Sequence, residues 1–190
     1  MARPVDPQKR VDILTAARKL FYEKGFNQTP MSQIAQEAGI ANGTIYLYFS
    51  SKEALALALS EDFFARLKAL VLPSVTTASN PDAIMNVVRA TLDFIKEERD
   101  LVAILNMPCS FTQTPDSMPE RREFYQQLSQ VFEAKIEQGI IRSYNPQVVA
   151  ELVAGLIEWV AESTLVRGFG KLERYEETLV AFIQNALFTQ

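Results

Sequence analysis

A chain of 190 residues that is 48% hydrophobic and 22% charged is long enough to bury a core, as one domain or as a small domain attached to a larger one. It contains no histidine, which removes imidazole catalysis and imidazole metal ligation, and its single cysteine, Cys109, has no internal disulfide partner. The net charge of −4 is unevenly spread: residues 1–50 carry six basic against four acidic side chains, and residues 51–190 carry 13 against 19. A mildly basic head on an acidic body suits a chain whose N-terminal part alone meets a polyanion. No apolar run approaches the roughly 20 residues of a membrane span, and the first ten residues lack the apolar stretch of a secretory signal. A cytoplasmic protein with no membrane partner, cofactor or metal is expected.

After Pro7, residues Ile13, Leu14, Ala17, Leu20 and Phe21 recur at helical spacing, predicting an amphipathic helix that ends near Gly25. Thr29 as N-cap and Pro30 at the first helical position open a short second helix with Ile34, Ala35 and Ala38 inward, stopped by Gly39. Another short helix is expected from Asn42 to Tyr48. Gly43 near its start disfavours the helix but lets the backbone come close to another surface. Ser50 with Glu53 forms a capping-box pattern before a helix carrying Leu55, Leu59, Phe63, Leu67 and Leu70, which Pro73 is expected to end. A linker over 74–82 leads to a helix with Ile84, Val87, Val88, Thr91, Leu92 and Ile95 inward. A short apolar segment, 101–107, and a loop rich in turn formers follow. Three longer helices complete the chain: one carrying Phe124, Leu128, Val131, Phe132, Lys135 and Ile136, one from Pro146 to about Gly168, and one from Leu172 to Phe188. The expectation is an all-α fold of about nine helices, with a helix-turn-helix domain over 1–50 and a helical body over 51–190.

Three short helices with a glycine turn and a following capped helix fit a helix-turn-helix unit, in which the second motif helix lies in the major groove, although the same arrangement occurs in proteins that bind no nucleic acid. On residues 41–49, Ile45 and Phe49 can face the core while Asn42, Thr44 and Tyr46 point outward, with Tyr48 at the edge. Asparagine makes a bidentate contact to adenine, and the threonine methyl meets the thymine methyl. Tyrosine hydroxyls suit phosphate oxygens, and Lys52 adds a mobile positive charge. Ser32 and Gln33 of the preceding helix reach base edges or sugar. On periodicity alone, the same polar positions also fit an ordinary solvated helix face.

Residues 16–55 resemble the DNA-binding head of the tetracycline-repressor (TetR) family. The shared pattern is a first helix ending in Phe and Gly, then Thr29, Ile34–Ala35, Ala38–Gly39–Ile40, Gly43–Thr44–Ile45–Tyr46, Tyr48–Phe49 and Lys52–Glu53. The resemblance implies a homodimeric regulator, usually a repressor, released from operator DNA by a small molecule bound in the C-terminal domain. It places Thr29, Tyr46, Tyr48 and Lys52 on phosphates, and Ser32, Gln33, Ala41, Asn42 and Thr44 at bases or nearby backbone. Three positions depart from the family's usual residues: Ala41 where serine is frequent, Asn42 where a basic residue is common, and Leu47 where histidine is often found. The groove helix is therefore uncharged, and Arg3, Lys9 and Arg10 are expected to compensate on the DNA backbone.

In the body, Leu152, Leu156, Val160, Leu179, Phe182, Ile183 and Ala186 lie on the last two helices, whose apolar surface exceeds what one neighbour each would cover. A two-fold four-helix interface is expected, with intramolecular core as the alternative. Family resemblance favours the interface. Phe94, Asn106, Met107, Phe111, Phe124, Tyr125, Leu128 and Trp159 are candidate walls of a cavity for a small, largely apolar or aromatic effector, with Gln127 or Glu158 as further polar groups. Simple core is the alternative for each. Cys109 lacks an obvious basic neighbour and reads as inert. The functional expectation is a ligand-responsive regulator on a near-palindromic operator. A constitutive DNA binder without a pocket is the alternative, and no catalytic constellation supports an enzyme.

Overall fold

The computed structural model describes residues 6–106 and 119–188. Met107, Cys109 and Phe111 of the sequence reading, and Arg3 of the expected basic arm, lie outside those residues. Among the described residues the architecture is all helical: α1 Pro7–Lys24, α2 Met31–Glu37, α3 Asn42–Ile45, α4 Lys52–Thr77, α5 Pro81–Glu97, α6 Arg99–Leu105, α7 Pro119–Glu137, α8 Pro146–Ala161 and α9 Leu172–Leu187. A π-helical turn, Glu162–Val166, continues α8 and packs on α6.

Local chemistry fixes the helix starts. Asp6, Asn80 and Asn145 accept backbone N–H groups at the heads of α1, α5 and α8, each just before a proline that has no N–H to satisfy. Gly39 ends α2 with φ +66°, and the bonds Gly39 N–H to Gln36 C=O and Ile40 N–H to Ala35 C=O close a Schellman turn. That corner sets α3 across α2. The inward residues Ile13, Ala17, Phe21, Ile34, Ala35 and Ile45 are almost completely excluded from water. They form the core of the head.

Three expected boundaries are corrected. The side-chain cap of α4 is Ser51, not Ser50: its Oγ accepts the Ala54 N–H at 3.2 Å. Thr29 does not cap α2. Pro30 occupies the cap position, and the Thr29 hydroxyl is donated into the α1–α2 corner, to the Gly25 carbonyl at 2.9 Å. Most notably, Pro73 does not end α4, and residues 74–77 belong to the helix rather than to a linker.

A proline inside a helix costs about 3 kcal/mol, so something must hold the turn beyond it. Val75 and Ala78 are buried there, and the hydroxyls of Ser74, Thr76 and Thr77 donate to carbonyls four residues back. Lys135 of α7, itself buried, donates to the Thr76 and Ala78 carbonyls, both at 2.6 Å. Tertiary anchoring outweighs the proline penalty. The resulting rod of 26 residues spans about 39 Å and packs on α1 at its head end and on α5, α6 and α7 further along.

Candidate nucleic-acid interface and effector cavity

In the head, Ala41, Asn42, Tyr46 and Leu47 are exposed, Thr44 and Tyr48 are half-buried, and Ile45 and Phe49 face inward. Gly43 is exposed, and a Cβ built there would meet nothing within 4 Å. Ser32 is exposed and Gln33 half-buried on the adjoining helix. These positions form one polar ridge on the outside of the head. Thr29 is the exception among the nine expected DNA contacts, since its side chain is fully buried.

Two members of the ridge are already oriented by the protein. The Tyr48 hydroxyl accepts the Asp6 N–H at 3.1 Å, which ties the start of α1 to the groove helix and leaves the phenolic proton available. Lys52 is engaged by the protein: its ammonium donates to the Phe26 carbonyl at 2.8 Å and sits 4.7 Å from the centre of the Phe26 ring. Arg10 lies over Phe49 at 5.3 Å, which places a cation beside the uncharged groove helix. Its guanidinium was legible in the sequence; its aromatic seat was not.

The body holds a cavity of about 270 Å³, partly open to solvent, between α4, α5, α6, α7 and α8, with Leu187 of α9 also in its wall. Its walls are predominantly apolar, with Phe63, Phe64, Leu67, Val88, Phe124 and Leu128 among them, and among the described residues its polar lining is Thr91, Asn106, Arg121 and Glu158. Of the expected wall residues, Asn106, Phe124 and Leu128 are in place. Phe94 is not a wall residue; it packs against Phe63 at 5.4 Å between ring centres, beneath the Arg66 guanidinium. Gln127 turns away to bond Glu123 at 2.8 Å.

Tyr125 stands behind the wall and orders two groups that belong to it. Its hydroxyl donates to Glu158 Oε1 at 2.5 Å and accepts from Arg121 Nε at 3.2 Å, while Arg121 Nη2 reaches Glu158 Oε2 at 2.5 Å. Burial and the neighbouring Glu158 carboxylate push the tyrosine well above its usual range, so it remains a neutral donor. Arg121 escaped the sequence reading because its partner lies 37 residues away on another helix. No local spacing could have revealed it.

Trp159 is also not a wall residue. It is 55% exposed on α8, one helical step of about 100° round from Glu158, and Leu152 of α8 at 61% and Phe182 of α9 at 60% are exposed as well. Ala186 is exposed and Leu156 half-buried on the same two helices. By contrast Val160, Leu179 and Ile183 are buried within this chain, so their area is spent on its own core.

The ion cluster beneath the head completes the picture. Arg18 of α1 pairs with Asp100 of α6 at 2.5 Å and with Glu98 at 3.0 Å, and Arg66 of α4 pairs with Glu98 at 2.6 Å and Asp62 at 3.0 Å. Among the described residues no group of three or more His, Cys, Asp or Glu could hold a metal ion, and no helix is long and apolar enough to cross a membrane.

A helix-turn-helix head with an outward polar ridge, carried on a helical body with an internal cavity, defines a class of DNA-binding regulators. Residues 13–59 match the family model of bacterial regulatory proteins of the tetR family. Over 173 residues the chain is 30% identical to an uncharacterized HTH-type transcriptional regulator, YdgC of Bacillus subtilis (strain 168), covering 88% of this chain and 85% of that protein. The chain belongs to the TetR family of transcriptional regulators. Among solved structures, the fatty acid degradation regulator FadR of Bacillus halodurans superposes with a TM-score of 0.78 at 18% identity, covering 99% of this chain and 100% of that one. FadR of Bacillus subtilis in complex with stearoyl-CoA gives 0.78 at 17% identity, covering 94% and 99%. At these identities the structural likeness shows the fold.

Proposed function

We propose that this protein is a homodimeric, ligand-responsive DNA-binding regulator, released from a near-palindromic operator when a small, largely apolar molecule fills the body cavity. The observation that carries the reading is the position of α6. Val102, Leu105 and Asn106 at its C-terminal end line the cavity, while Asp100 at its start grips Arg18 of α1. A ligand that moves α6 therefore pulls on the head, which satisfies the requirement that an effector distinguish two arrangements of the same contacts. The presence of a cavity favours this reading over a constitutive DNA binder. FadR of Bacillus subtilis, which shares the fold, holds stearoyl-CoA, and this supports an effector with a long apolar part.

In this reading Asn42, Thr44, Ser32, Gln33 and Ala41 meet bases or adjoining sugar, and Tyr46, Tyr48, Lys52 and the backbone N–H groups at the start of α2, from Met31, hold phosphates, whereas the buried Thr29 side chain does not. Lys9 and Arg10 add backbone charge at the start of α1. The exposed faces of α8 and α9 pair two copies, which places two heads on successive turns of one duplex face, about 34–36 Å apart or a multiple of this.

The test is a footprint on the DNA flanking the protein's own gene, followed by fluorescence anisotropy on the protected fragment over a salt series. A symmetric protected site with steep salt dependence is expected. Tyr46→Ala should weaken binding to all sequences alike, whereas Asn42→Ala should relax the choice of base at one position in each half-site. Absence of any protected site, with binding to random duplex equally strong, would overturn the regulator reading.

A further inference from the structure

The charges lining the cavity are not free to serve a ligand. Arg121 and Glu158 are the charged side chains among its described lining, and they are joined to each other at 2.5 Å. Both Glu158 oxygens are engaged, one by Arg121 and one by the Tyr125 hydroxyl. Tyr125 stays protonated beside them. Arg121, by contrast, uses only some of its five N–H donors on these two partners. Asn106 spends one N–H on the Val102 carbonyl at 2.9 Å, and the Thr91 hydroxyl spends its proton on the Val87 carbonyl at 2.7 Å.

An ionised group seated among these walls would leave water without gaining an unpaired opposite charge from the described lining residues. A carboxylate drawn to Arg121 meets Glu158 at the same place, and an ammonium drawn to Glu158 meets Arg121. The pair sits at a partly exposed rim, with side chains 46% and 40% exposed. The discrimination therefore acts on a group carried inward among the apolar walls, where an unpaired charge is strongly unfavourable while a neutral oxygen needs only a donor, and Arg121 supplies one without breaking its pair.

We propose that the part of the effector held inside the cavity is electrically neutral: an apolar body with a hydroxyl, ester or similar uncharged oxygen placed at the paired Arg121 and Glu158. This rests on the cavity being the effector site, as proposed above. The pair then acts as a charge filter, admitting uncharged amphiphiles and rejecting fatty-acid anions and alkylammonium cations of the same length.

The experiment uses the full-length protein and four probes with the same ten-carbon chain length: 1-decanol, methyl decanoate, sodium decanoate and decylammonium chloride, each below its solubility limit or micelle concentration. Binding is read by calorimetry, and release from the protected DNA fragment by anisotropy. The two neutral probes are expected to bind about tenfold or more tighter than either ion. Glu158→Gln keeps the shape but leaves the Arg121 charge unopposed, and should raise decanoate affinity about tenfold relative to decanol. Arg121→Gln should do the same for decylammonium, so the two variants check each other if one folds poorly.

Decanoate binding to the unsubstituted protein as tightly as decanol would overturn the charge filter while leaving the cavity as the effector site. Failure of all four probes, or binding that survives filling the cavity with Leu128→Trp, would overturn the cavity reading and the filter with it.

Discussion

Arg18 of α1 and Asp100 of α6, separated by 82 residues of chain, meet in a two-point contact, Nε to Oδ2 at 2.6 Å and Nη2 to Oδ1 at 2.5 Å. It is a direct bond between the head and a helix that walls the cavity. Burial works against the Asp100 charge, and the Arg18 guanidinium more than offsets it, so the carboxyl is held below its ordinary value. Glu98 is lowered chiefly by the hydrogen bonds from Arg66, against burial, with Arg18 adding to the effect.

Depressed carboxylates stabilise the folded chain fully above their unfolded values, and that contribution disappears as pH falls through the ordinary carboxylate range, about pH 4–5, toward the folded values. Urea unfolding should therefore show a stability loss on acidification that is smaller in Asp100→Asn than in the unsubstituted protein. At neutral pH the substitution should cost about 1–2 kcal/mol, since the pair is partly screened by water. Parallel pH profiles for the two proteins would remove Asp100 from the acid response.

Lys135 provides the second prediction. Its ammonium is 3% exposed as a residue and is satisfied by backbone carbonyls at the end of α4, where the helix dipole also favours a cation. Lys135→Ala should cost roughly 3 kcal/mol in urea unfolding, because it strands two carbonyls and opens a void. Lys135→Met restores most of the volume but not the bonds and should recover only part of that loss. Equal stability of all three proteins would show that the end of α4 is held without Lys135, by the buried Val75 and Ala78 and the hydroxyl bonds of Ser74, Thr76 and Thr77.

Much of the head was legible because its signals are local. The α1 stripe, the Gly39 stop and the inward pair Ile45 and Phe49 are set by spacing and by one positive φ, and the structure places each as read. Some errors fall where long-range partners decide, and others where neighbouring local bonds compete for the same side chain. Pro73 reads as a terminator until Lys135 and the buried Val75 are brought to the turn beyond it. Thr29 reads as a cap until its hydroxyl is found inside the α1–α2 corner. On α8 the sequence showed more apolar surface than one neighbour covers, yet it cannot say which of those side chains meet the chain's own core. Val160 proved inward and Trp159 outward for that reason.

Gly43 separates stability from recognition. An added methyl meets open space within the protein, so nothing in this chain requires glycine there. Gly43→Ala should leave folding unharmed or improve it by about 0.5 kcal/mol, through lower entropy of the unfolded chain. If the groove helix backbone approaches DNA as proposed, the same methyl should reduce operator affinity about tenfold or more. Thermal melts and anisotropy on the same preparation check both halves, and unchanged affinity would mean that the backbone keeps its distance from the duplex.

The exposed faces of α8 and α9 give the last prediction. Leu152, Trp159 and Phe182 together present more apolar surface than isolated exposed residues would, at the position where two copies are proposed to pair. Leu152→Glu combined with Phe182→Glu should yield monomers by sedimentation without loss of helix content, because neither side chain belongs to the internal core. Trp159 is the chain's single tryptophan, so its emission should shift to the red as the partner's cover is lost. Operator affinity should fall with it, since each head alone retains only half of the contacts. Ile183→Ala, at a position 1% exposed, is the control: it should cost about 2–4 kcal/mol of stability while the protein that remains folded is still dimeric. A double glutamate variant that still sediments as a dimer would place the interface elsewhere on the body.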